Sequence, residues 1–218
     1  MNNYETDEET LEALKTWWKE NGKSVIGGLI LGVGAIVGFK QWGSYQSEKA
    51  QSASSLYQTM LQTSSDKKID EFYAIGSEIV LDYSSTPYAS LAALIMAKKL
   101  VEDKKFEDAI SKLNWLLSNS SDEGIKHIAR IRLARILLNE KQIDQAFNLV
   151  KDELSVSFKS EYNELRGDVY VAKKEFSLAK DAYKSALAAN IKNKEKREFI
   201  EMKLHDIVIP EKPSSEKS

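Results

Sequence analysis

Fifteen consecutive residues near the N-terminus, Val25 to Phe39 (VIGGLILGVGAIVGF), carry no charge and no strongly polar side chain, in a chain that is otherwise polar and charged. A helix rises about 1.5 Å per residue, so the run spans roughly 22 Å, short of a hydrocarbon core of about 30 Å. The flanks extend it. Trp17 and Trp18 precede the run and Trp42 and Tyr45 follow it, as aromatics do at water–lipid interfaces, while Lys23 and Lys40 can snorkel outward. The pattern predicts one membrane span over about residues 22–43.

Three other readings compete. A buried core helix of a soluble domain has the right length, but Gly27, Gly28, Gly32, Gly34 and Gly38 each cost about 1 kcal/mol of helix propensity in water. In lipid the backbone must satisfy its own hydrogen bonds, so helix is enforced despite glycine. Nine Val, Ile, Leu and Phe side chains favour lipid by about 3–5 kcal/mol in total. A cleaved signal peptide fits less well, because the preceding region is long and acid-rich and Lys-Gln-Trp-Gly, not a small-x-small site, follows Phe39. Length and glycine content disfavour a buried strand.

The 175 residues after position 43 suffice for one domain with a substantial core. Four of the 31 basic and six of the 33 acidic residues lie in 1–40, which leaves 27 of each beyond it. Such balance gives no electrostatic case for nucleic acid. Cysteine is absent, so disulfide and thiolate chemistry are not available. Lys15, Lys19 and Lys23 before the span outnumber Lys40 and Lys49 after it, a small bias toward an N-terminus on the cytoplasmic side.

Residues 1–21 open with Thr6-Asp7-Glu8-Glu9, a capping-box pattern, then Leu11, Leu14 and Trp18 at helical spacing. They predict a short amphipathic helix that breaks near Asn21-Gly22, although the narrow apolar stripe also fits a merely solvated tail. From Gln46 onward the pattern is helical and repeats. Ala97 with Ala109, Ala134 with Ala146, and Gly167 with Ala179 are small residues twelve apart, and the units start 37 and 33 residues apart. Leu100, Leu137 and Tyr170 follow the first small residue by three, and Leu113, Val150 and Tyr183 follow the second by four. Small residues let paired helices approach while large ones fill the seam, the signature of helical repeats with a period near 34. In the third unit, LRGDVYVAKKEFSLAKDAYKSAL, Gly167, Tyr170, Ala179, Tyr183 and Ala186 match a tetratricopeptide repeat, although Asn163 and Ile191 replace its aromatic and proline positions. An earlier hairpin over 46–63 and 67–83, a terminal helix over 193–208 and a disordered polar tail over 210–218 complete the expected all-α fold: one transmembrane helix followed by a tetratricopeptide-like α-hairpin stack.

Chemistry is sparse. His127 and His205 stand apart without the spacing of a zinc or hydrolase site. Gly22-Lys23-Ser24 lacks the first glycine of a phosphate loop, and Gly32-x-Gly34-x-x-x-Gly38 misses a dinucleotide fingerprint by one residue. The expectation is a non-enzyme without cofactor or metal. Two features instead point to binding. Gly28, Gly32, Gly34 and Gly38 form small-x-x-x-small pairs that permit close packing on another membrane helix, although membrane helices also tolerate glycine passively. Counting from the matched small residues places Leu91, Leu94, Lys98, Val101, Ile128, Ile131, Arg135, Leu138, Asp168 and Val171 on the face that first helices line in such stacks. Leu91, Leu94, Val101, Ile128, Ile131 and Leu138 are candidate client contacts there; the competing reading buries them against neighbouring hairpins.

WKENGK, GGLILGVGAIVGFKQW, LRGDVY and a terminal EMKLHDI together resemble the YfgM family of γ-proteobacterial inner-membrane proteins over essentially the whole length. The resemblance implies an ancillary subunit of the SecYEG translocon, with residues 1–21 cytoplasmic, 22–43 spanning the inner membrane and 44–209 in the periplasm. It further implies association with the membrane-anchored chaperone PpiD, transfer of unfolded exported proteins, and a restraint on the Rcs stress response. Residue patterns alone yield only an anchor plus an interaction scaffold. They leave open a cytoplasm-facing membrane scaffold for a signalling or division complex, and a secreted soluble binding module.

Overall fold

The computed structural model describes residues 4–65, 68–152, 155–189 and 193–207. The polar tail over 210–218 and the repeat position at Ile191 lie outside the described residues. Among those described there are nine α-helices, one 3-10 turn (Val156–Phe158) and no strand. The helices are α1 (Tyr4–Ser65), α2 (Ile69–Asp82), α3 (Pro87–Glu102), α4 (Phe106–Asn119), α5 (Glu123–Asn139), α6 (Ile143–Val150), α7 (Lys159–Ala172), α8 (Phe176–Ala188) and α9 (Lys194–His205).

The expected break near Asn21-Gly22 does not occur, because α1 is continuous. Two side chains substitute locally for the weak propensity of this pair. The Asn21 amide donates to the Trp17 carbonyl at 3.1 Å, and the Trp18 indole lies against Gly22, about 3.3 Å from where a Cβ would stand. The helix also starts upstream of Thr6, so this residue is inside it and not at its cap. Residues 1–52 form one unit and 53–218 another.

In the first unit the apolar side chains are uncovered all round: Leu31 is 75% exposed, Ile36 70% and Phe39 81%. The segment is long and apolar enough to cross a membrane, with a mean hydropathy of 1.7 over its most apolar window. An all-round apolar helix belongs in a core or a bilayer, and within this unit the described residues leave it uncovered. Trp17 with Trp18 and Trp42 with Tyr45 make ring contacts at its two ends, with centroids 6.5 and 6.2 Å apart.

The second unit is the hairpin stack. Its helix ends follow local chemistry. Pro87 stands in the first turn of α3 behind extended Thr86, where a missing N–H costs nothing. The Asp122 carboxylate accepts from Ile125 N at 3.0 Å and the Asn193 amide oxygen from Lys196 N at 2.8 Å, capping α5 and α9. The turns α3–α4, α5–α6 and α7–α8 are built alike. Lys104, Lys141 and Lys174 adopt φ of 59°, 61° and 63°, and the next residue donates to a carbonyl five positions back at 2.8 Å in each case. This is the left-handed helix stop that usually takes glycine. The three lysines are spaced 37 and 33 apart, the period of the small residues.

All six of those small residues are buried: Ala97, Ala109, Ala134, Ala146, Gly167 and Ala179. Leu113 and Val150 fill the seams at 0% exposure and Tyr183 at 2%. One core runs from Met60 to Val169. Its first layer is tight: a Cβ on Gly76 would meet Met96 Sδ at 2.5 Å and Met60 Cε at 2.9 Å. A smaller terminal core joins Ala179, Tyr183 and Ala186 of α8 to Ile200 and Ile207, so α9 stacks on the last hairpin as expected. Asn163, in the aromatic consensus position, is buried and donates to the Lys159 carbonyl at 2.9 Å while accepting from Arg166.

Candidate functional site

The first helices α3, α5 and α7, continued by α9, carry two adjoining cavities. The first, about 310 Å³, opens between α3 and α5. Ala97 and Val101 of α3, Ile136 of α5 and Leu113 of α4 make its lining almost wholly apolar. The charged side chains on it are Lys98, Glu102, Arg132 and Arg135, all exposed. The second, about 740 Å³, lies between α7 and α9 and shares Arg135 with the first. Glu161, Glu164 and Asp168 line one side of it, and Lys196, Phe199 and Lys203 the other.

Ion pairing differs between the two. In the second cavity every carboxylate of α7 has a cation. Lys203 reaches Glu164 at 2.8 Å and Asp168 at 2.8 Å, Lys196 pairs with Glu161, and Arg135 stands 3.6 Å from Glu164. Glu164 is only 4% exposed, and a buried carboxylate without partners would be strongly destabilising. Tyr183 Oη donates to Asp168 at 2.6 Å; burial first, and then this bond, push the phenol pKa up. Lys203 also lies 4.7 Å from the centre of the half-exposed Phe199 ring.

In the first cavity Glu102 is engaged by Lys98 at 3.8 Å and Lys99 at 3.6 Å. Arg132 has no carboxylate partner among the described residues. Its guanidinium donates to the Leu94 carbonyl at 3.3 Å. Although the residue as a whole is exposed, partial desolvation of its guanidinium, and then the like charge of Arg135, lower its pKa.

Val101 lines the first cavity, together with Lys98 and Arg135, and Asp168 lines the second. Leu94 and Ile131 are 7% and 5% exposed and belong to the core, with Ile128 and Leu138 half-buried against it. Leu91 is half-buried and Val171 exposed. The cavities therefore gather on the row Lys98, Arg135, Asp168, one residue per first helix at the repeat spacing. Arg132, Ile136, Phe199, Lys196 and Lys203 escaped the repeat count. Arg132 stands one turn from Arg135 on the same helix face, which is the signal that finds it. The α9 residues become part of the site only through tertiary packing.

At Gly28, Gly32, Gly34 and Gly38 an added Cβ would meet nothing within 4 Å, so this surface is open for contact. His127 is buried between α5 and α7, with Nδ1 at 2.8 Å from Tyr162 Oη. No group of three or more His, Asp or Glu is placed to hold a metal ion among the described residues.

The family model of the tetratricopeptide repeat-like domain matches residues 15–208. The chain is 31% identical over 209 residues to the ancillary SecYEG translocon subunit of Escherichia coli (strain K12), spanning 96% of this chain and 100% of that protein. It is 32% identical over 202 residues to the protein of the same name from Haemophilus influenzae, spanning 92% and 97%. The counterpart from Neisseria gonorrhoeae is 26% identical over 92% and 97%. No solved structure matches the chain significantly. With its apolar N-terminal helix, its stacked hairpins and this full-length similarity, the chain belongs to the YfgM family of ancillary SecYEG translocon subunits, built on a tetratricopeptide repeat-like domain.

Proposed function

We propose that the protein is an ancillary subunit of the SecYEG translocon, anchored in the inner membrane by residues 22–43. Residues 1–21 lie in the cytoplasm and the hairpin stack over 44–209 in the periplasm. There it receives unfolded segments of newly exported proteins and passes them to the membrane-anchored chaperone PpiD, and on the cytoplasmic side it restrains the Rcs stress response. The observation that carries this reading is the similarity to proteins named ancillary SecYEG translocon subunits along nearly the whole chain. It is supported by an uncovered apolar helix and by an apolar cavity flanked by mixed charge.

The groove over α3, α5, α7 and α9 is the proposed client site. Val101 and Ile136 offer apolar surface, and Leu91, Leu94, Ile128, Ile131 and Leu138 shape the helices that present it. Apolar surface with a few polar groups holds extended chain without demanding one sequence. The glycine face of the anchor is the proposed contact with a translocon or chaperone helix.

Purification of the full chain in mild detergent, followed by identification of its partners, tests the assignment. Recovery of SecYEG and PpiD is expected, and recovery of neither overturns it. Alkaline phosphatase fused after Ser218 tests the orientation: activity is expected, and its absence places the domain in the cytoplasm and favours a membrane scaffold.

A further inference from the structure

The first cavity pairs an apolar hole with a cation that has no carboxylate partner among the described residues. Ala97, Val101, Leu113 and Ile136 line it together with Lys98, Glu102, Arg132 and Arg135, its surface is mostly apolar, and its volume is about 310 Å³, within the range of small ligand pockets. Arg132 lines the same cavity, among the described residues bonds a backbone carbonyl and no carboxylate, and has the like-charged Arg135 as a neighbour. Every other cation on the groove has a carboxylate at 4 Å or less: Lys98 with Glu102, Arg135 with Glu164, Lys196 with Glu161, Lys203 with Glu164 and Asp168. A guanidinium fork is preorganised for a carboxylate, bidentate and charge-assisted.

We infer that the groove selects extended protein segments in which an apolar residue is followed two positions later by an acidic one, the apolar side chain filling the cavity and the carboxylate binding Arg132. Side chains two apart share a face of an extended chain, so both reach one cavity without bending the backbone. The inference rests on the groove being the client site, and it adds the feature by which clients are preferred. An arginine pair without a free carboxylate repels basic segments, so Lys-rich stretches are disfavoured at this position.

The test uses the full chain in detergent micelles and labelled Gly/Ser peptides carrying repeated Leu-Ser-Glu units, amidated at the C-terminus. Replacing Glu by Gln in the peptide should weaken binding about tenfold. Arg132→Gln should reduce the Glu peptide to the affinity of the Gln peptide. Arg132→Lys, which keeps the charge and loses the fork, should fall between. Equal affinity of Glu and Gln peptides for the wild type overturns the carboxylate preference while leaving the groove standing. Absence of binding by either peptide, and by a denatured exported protein, overturns the groove as well. A Gln peptide with a free C-terminus that outcompetes the amidated Glu peptide shows that the cation reads chain ends, and overturns the acidic side chain as ligand. Retained discrimination in an Arg132→Gln protein of unchanged melting temperature overturns the role of Arg132. Should that variant melt early, Arg132→Lys carries the test, and a Lys variant that separates Glu from Gln peptides as strongly as the wild type overturns the role of the Arg132 fork.

Discussion

The Tyr183 ring packs against Gly167, with Cδ1 only 2.5 Å from where a Cβ on residue 167 would stand. The ring has no room to withdraw, because its hydroxyl is tied to Asp168 at 2.6 Å and its other side belongs to the terminal core. Gly167→Val should therefore overpack the α7–α8 seam and lower stability by about 1–3 kcal/mol, read as a fall in melting temperature by circular dichroism. Gly34→Val in the apolar helix meets nothing within 4 Å and should leave that melt unchanged.

Lys104, Lys141 and Lys174 hold the left-handed conformation of a helix stop. Glycine adopts it without a Cβ penalty. Each Lys→Gly substitution should raise stability by about 0.5–1 kcal/mol, and the triple variant should show a near-additive gain because the turns are separate. A triple variant that melts no later than the wild type refutes the turn assignment.

His127 titrates against the fold. Burial, followed by the charge of Arg130, holds its pKa below the usual 6.5, with Glu123 opposing; Tyr162 bonds its ring and Phe158 stacks at 5.0 Å. The unfolded chain thus binds its proton first as pH falls. The stability this residue confers is full above pH 6.5 and declines below it, with a slope of at most about 1.4 kcal/mol per pH unit. Denaturant melts between pH 7.5 and 5.5 should show a smaller decline for His127→Gln than for the wild type. Equal declines would mean that His127 is not the titrating group.

Leu94 and Ile131 are 7% and 5% exposed in the main core. Changing both to Ser should cost several kcal/mol, on the order of 2–5 for each truncation, so thermal stability should be lost together with binding at the proposed client site. Val101→Ser, at the cavity wall, should reduce capture with a smaller fall in melting temperature. A double variant with wild-type melting would return Leu94 and Ile131 to the binding surface.

Replacing Gly28, Gly32, Gly34 and Gly38 together by Leu should preserve membrane insertion, since hydrophobicity rises. It should also reduce co-purification of SecYEG or PpiD if close helix contact depends on these positions. Unchanged recovery of every partner leaves the glycines as passive residues of the span.

Local chemistry determined much of this protein from sequence alone. The uncharged run from Val25 to Phe39 marks the membrane helix because hydropathy acts through composition, whatever its neighbours. Small residues at 97, 109, 134, 146, 167 and 179 mark the hairpins because helix approach is limited by side-chain size at the crossing, and all six are buried. Even the repeat spacing of Lys98, Arg135 and Asp168 leads to the groove. Local signals failed where competing interactions won: Asn21-Gly22 reads as a helix break, yet α1 continues with Trp18 packed on the glycine and Asn21 bonded to the backbone. Which apolar residues are core and which are surface was decided only in three dimensions. Leu94 and Val101 share one helix and similar polarity, but the first is buried within the core while the second is half-buried against it at a cavity wall, because depth depends on how the neighbouring helices pack. The same holds for charge. Arg132 and Arg135 look alike in sequence, and only the placement of Glu164 on α7 leaves one paired and the other without a carboxylate.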